Sequence, residues 1–161
     1  MKTILLATDG SPSAASAADE AVALAAALGA KLVIASVEEL GSRFSMYEAP
    51  ELDEDLRAPE RARVDRLLEE AAETAAARGV TCETAHLLGP VAEEICEEAA
   101  RKEASLVVVG SHGWGSLGRV LHGSVSSEVL HRAHCPVLVV RGAAHASALD
   151  LPAEARSVAR S

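Results

Sequence analysis

Short, almost wholly apolar runs alternate along this chain with longer segments of helical periodicity. No other feature restricts the fold as much. The runs are Thr3 to Thr8 (TILLAT), Lys31 to Glu39 (KLVIASVEE), Val80 to Leu88 (VTCETAHLL), Ser105 to Gly110 (SLVVVG) and Pro136 to Arg141 (PVLVVR). Strands that read as continuous apolar runs are covered on both faces. The third run alternates more than the others, as an edge strand would. Between the runs lie helices. Ser11 reads as an N-cap with Pro12 at the first helical position, and Gly29 as the C-terminal stop. Val64, Leu67, Leu68 and Ala71 share one helical face, giving a helix from about Pro59 to Arg78. A third helix follows Gly89-Pro90, with acids early and bases late as the helix dipole prefers, and its glutamates read as a solvated face. A short fourth helix runs from Gly123 to Ala133. Strand and helix in strict alternation imply right-handed crossovers: a single α/β domain with a parallel sheet and helices on both faces. Residues 40–56 read as a long polar loop. Residues 142–161 read as a flexible C-terminal tail, with a short helix from Pro152 as the alternative.

Composition narrows the function classes. One Trp, one Tyr and one Phe leave the core to Val, Leu, Ile and Ala. No apolar run reaches the ~20 residues that span a bilayer, and MKTILLATDG is too short an apolar stretch for a secretory signal. Cys82, Cys96 and Cys135 lack metal-ligand spacing and read as buried or free thiols in a reducing compartment, so the expected location is cytoplasmic. A net charge of −9 repels polyanions, so no nucleic-acid partner is expected. A small phosphate ligand stays compatible with that charge, because backbone N–H groups bind it without a basic surface.

Two glycine patterns overlap between Gly110 and Ser124. GWGSLG (Gly113 to Gly118) has the spacing of a dinucleotide loop. Such a loop follows the first strand of its unit, opens a helix directly, and meets an acid ~20 residues on. Here it follows the fourth strand, four residues (Arg119 to His122) separate it from the next helix, and no carboxylate lies in the apolar strand beyond. The match is incidental, and no P-loop lysine is present. The wider spacing fits better. Gly110 lets the chain leave a central strand tightly, and Gly113 lets backbone approach a ligand. Gly123-Ser124 opens a helix whose free N–H groups and positive dipole end suit an anion, with Ser124 and Ser126 adding hydroxyls.

Gly110, Gly113, Gly123 and Ser124 form G-x2-G-x9-G-[ST], which resembles the ATP-binding signature of the universal stress protein family. ILLATDGS, GPVAEEI, SLVVVGSHG and HCPVLVVR extend the resemblance from Met1 to about Arg141. It implies a five-stranded parallel sheet in the order 3-2-1-4-5, a Rossmann-like fold of the adenine nucleotide alpha hydrolase type. It implies an ATP site at the switch point between the first and fourth strands. Adenine would be held by Asp9 and the backbone of Val37, ribose and phosphates by Gly110 and Gly113. Phosphate oxygens would meet Gly123, Ser124, Val125 (through its N–H) and Ser126, with Mg²⁺ bridging the phosphates. The resemblance also implies a homodimer through the last strand and a nucleotide-dependent regulatory role in stress response.

Blander roles exist for these residues. Asp before Gly-Ser is commonly a turn residue, and Ser124 serves as a plain N-cap. Trp114 reads as a packing or interface residue, and His112, Arg119 and His122 as solvated loop residues, with phosphate neutralisation as their alternative role. His131 and His134 near a helix end suit its dipole without a metal. No base is found beside the expected γ-phosphate, so no catalytic residue is assigned and at most weak ATPase activity is expected. The alternative functions are a dimeric scaffold without nucleotide and a slow ATP hydrolase.

Overall fold

A computed structural model of the chain describes residues 2–38, 54–111 and 124–142. The elements in order are β1 (Thr3–Ala7), α1 (Pro12–Leu28), β2 (Lys31–Glu38), α2 (Glu54–Ala77), β3 (Cys82–Leu88), α3 (Val91–Arg101), β4 (Leu106–Gly110), α4 (Ser124–Arg132) and β5 (Val137–Val140). The strands form one parallel sheet in the order β3-β2-β1-β4-β5.

The apolar runs are buried on both sides because successive side chains point to opposite faces. Ile4 and Leu6 join a core cluster with Ala17, Ala21, Val64 and Leu68, so α1 and α2 cover one face. Leu5 and Ala7 join another with Val91, Ile95 and Val129, so α3 and α4 cover the other. Helix α1 presents Ala14, Ala17, Ala21 and Ala25 to the sheet, all essentially inaccessible. Such small side chains bring the helix close to the sheet, and this offsets the scarcity of aromatic volume. Ser11 caps α1 by accepting a hydrogen bond from Ala14 N–H at 3.2 Å, and the helix stops at Gly29.

Two expectations are corrected here. Helix α2 starts at Glu54, several residues before Pro59, so the last three residues assigned to the loop are helical. Pro59 lies just past the first turn, where its ring forfeits only the bond to the Asp55 carbonyl. The third helix is not wholly solvated along its acidic face. Glu98 is 1% exposed and pairs with Arg101 and Lys102. A buried carboxylate needs such partners.

Candidate functional site

The strand order puts the two ends of β1 and β4 side by side with the chain leaving them in opposite directions. A crevice forms outside the carboxyl ends of strands at such a point. Asp9 follows β1 on one side, and Gly110 ends β4 on the other.

The Asp9 turn is built tightly. Asp9 Oδ1 accepts from Ser11 N–H at 2.9 Å, the local bond that makes Asp a turn former. Thr8, which is buried, accepts from Gly10 N–H through its hydroxyl at 3.4 Å. Gly10 has φ of 79°, a left-handed conformation that side chains disfavour. A Cβ there would also lie 3.3 Å from Leu67 Cδ1 of α2. The Asp9 carbonyl accepts from Arg63 Nη1 at 3.4 Å. Arg63 in turn grips Glu60 with Nε and Nη2 at 2.9 and 2.7 Å. That fork holds the Glu60 carboxyl below the usual carboxylate range and pushes the guanidinium further up.

Gly110 faces the start of α1. A Cβ on it would sit 2.8 Å from the Ser13 carbonyl carbon and 2.9 Å from Ala14 N. Backbone therefore meets backbone, and the glycine is required by packing whatever the crevice holds. Val37 is 2% exposed, and its side chain packs beneath α3. Its backbone lies elsewhere. Lys31 N–H bonds to Lys2 and Ala35 C=O to Thr8, whereas Leu32 N–H bonds to Thr81 and Glu38 C=O to Gly89. Odd residues of β2 thus address β1 and even ones address β3. Val37 aims its N–H and C=O to the β1 side, two residues beyond Ala35, which is the last to pair with β1.

Helix α4 runs antiparallel to the strands it joins, so its N-terminus lies at the same end of the sheet as Asp9 and Gly110. Ser124 is exposed, Val125 half-buried and Ser126 buried at its start. Backbone N–H groups in that first turn have no intrahelical acceptors. The structure thus brings Asp9, Val37, Gly110 and the α4 start to one end of the sheet. Gly113 and Gly123, together with His112, Trp114, Arg119 and His122, lie outside the described residues.

Sequence reasoning missed a cluster beside Val37. Glu38 is 3% exposed at the end of β2. It accepts from Arg57 Nε at 2.9 Å, and its other oxygen lies 3.2 Å from His86 Nε2. The other ring nitrogen of His86 is 2.8 Å from Asp65 Oδ1. The available signal was a glutamate closing a largely apolar strand, which requires a charged partner on a neighbouring element. Arg63 was missed because its partner is a carbonyl 54 positions away.

The sequence model of the universal stress protein family matches residues 1–141. The chain belongs to the universal stress protein family. It is 38% identical over 144 residues to universal stress protein YxiE of Bacillus subtilis (strain 168), covering 86% of this chain and 97% of that one. Universal stress protein UspA from Lactobacillus plantarum superposes with a TM-score of 0.76 at 30% identity, covering 87% of this chain and 97% of that one. A universal stress protein crystallised in complex with cAMP superposes with a TM-score of 0.67 at 32% identity, covering 88% and 97%. These universal stress proteins thus share the fold of this chain, and one of them was crystallised with an adenine nucleotide, cAMP.

Proposed function

We propose that this chain binds ATP in the crevice between β1 and β4 and that occupancy of this site acts as a regulatory switch in stress response. The observation that carries the reading is the convergence of the Asp9 turn, the Val37 backbone, Gly110 and the α4 start at one switch point. Asp9 and the N–H and C=O of Val37 would take the adenine edge. Gly110 and Gly113 would line ribose and phosphates. Gly123, Ser124, Val125 and Ser126 would meet phosphate oxygens at a helix N-terminus, where the dipole favours negative charge. The similar protein crystallised with cAMP supports an adenine nucleotide as the ligand class.

Mg²⁺ would arrive with the phosphates. Among the described residues no group of three or more His, Cys, Asp or Glu side chains could hold a metal ion. A hard cation held by phosphate oxygens and water suits such a site. The binding unit proposed is residues 1–141, with 142–161 as an appended tail. Free thiols at Cys82, Cys96 and Cys135 support a reducing, cytoplasmic setting. No described helix is long and apolar enough to cross a membrane.

Trp114 is the lone tryptophan and lies within the glycine signature, so it reports on the site. Its fluorescence is expected to change on titration with ATP and not with NAD. A saturating response to NAD with none to ATP would overturn the reading.

A further inference from the structure

The geometry points to Arg63 as a positioning residue for base selection: it holds the Asp9 turn in place from α2, so that the carboxylate favours a 6-aminopurine over a 6-oxopurine. This rests on the nucleotide reading and names what sets its specificity. Adenine offers an N6–H₂ donor where guanine offers an O6 acceptor. A fixed carboxylate accepts from the first and repels the second. Discrimination of this kind depends on the carboxylate staying where it is, because a mobile one swings away from O6 and lets water intervene.

Two contacts from α2 fix the turn. Arg63 Nη1 donates to the Asp9 carbonyl at 3.4 Å, and Leu67, one helical turn on, lies where a side chain on Gly10 would have to go. The guanidinium is itself held, because Nε and Nη2 are engaged by both oxygens of Glu60. A planar fork pinned on one edge presents its remaining nitrogen in one direction. The chain thus runs from Glu60 through Arg63 and the Asp9 carbonyl to the Asp9 carboxylate, which Ser11 N–H fixes from the other side at 2.9 Å.

The test is calorimetric titration of the full chain with MgATP, MgGTP and inorganic tripolyphosphate. The parent is expected to prefer ATP. Arg63→Ala is expected to lose about tenfold of that preference, the size of one hydrogen bond's net contribution, with tripolyphosphate binding unchanged. Arg63→Lys, which keeps a donor and loses the fork, is expected to recover part of it. On an Asp9→Ala background, Arg63→Ala is expected to change nothing further, because the two act as one unit. An unaltered ATP preference in Arg63→Ala overturns the inference and leaves the nucleotide reading standing. So does an equal loss for all three ligands, or additive losses in the double variant. A parent that binds no ATP brings down the nucleotide reading itself. The Arg63 side chain is 45% exposed, so alanine is expected to be tolerated. If Arg63→Ala melts within the titration range, Glu60→Ala carries the test, since it removes both acceptors that hold the guanidinium without touching the turn. Its ATP preference is expected to fall, and an unchanged preference overturns the inference.

Discussion

Gly110 shows how one residue can answer a demand that its motif does not reveal. Its place in the glycine spacing motivates the proposed phosphate role. The structure adds a packing demand, because a Cβ would press against the Ser13 carbonyl carbon and Ala14 N. Backbone cannot swing aside as a side chain can. Gly110→Ala is therefore expected to cost about 1–3 kcal/mol of stability with no ligand present, read from the urea midpoint. An unchanged midpoint contradicts the close approach. Asp9 was legible in the same partial way, since DGS after a strand announces both the turn and the end of β1. Its contact to Arg63 was not legible, because a side chain reaching a distant carbonyl leaves no periodic trace. Glu38 lies between these cases: its burial follows from strand position, but the partners Arg57 and His86 follow only from the fold.

At the scale of elements, alternation made the strands and helices readable, and the reading failed where chemistry interrupts periodicity. Pro59 and the acids before it resemble a helix start, yet α2 already runs from Glu54. The acidic pattern of α3 hides Glu98, whose burial is decided by Arg101 and Lys102 at the helix end. The same end of α3 contributes to a charge cluster that ties it to the sheet. Glu83 of β3 bonds to Lys102 and to Lys31 of β2, and these two ammonium groups hold its carboxyl below the usual range. A depressed carboxyl contributes stability above its unfolded value, and loses it as pH falls through the folded one. Glu83→Gln is expected to lower the urea midpoint near neutral pH, with the gap to the parent closing as pH falls below about 4.3. A gap that stays constant through the acid range would contradict the ion-pair assignment.

At the scale of the whole molecule, the order β3-β2-β1-β4-β5 leaves β5 at an edge. Its Val137–Val140 run is wholly apolar and half-buried, and among the described residues that follow it the exposed Arg141 carries the one charge. An apolar edge of this kind invites pairing with another chain, and a two-fold interface is the commonest closure. We propose a homodimer through β5. Both the full chain and a chain ending at Arg141 are expected to sediment as dimers at micromolar concentration. A full-length monomer under those conditions, with and without ATP, would exclude this interface. The central claim is the phosphate-binding role of the glycine signature, and calorimetry of MgATP binding to the parent and to Gly113→Val tests it most directly. The β-branched side chain is expected to block backbone approach and weaken binding by about tenfold or more, with the melting temperature of the free protein retained. A Gly113→Val variant that binds MgATP as tightly as the parent would contradict it.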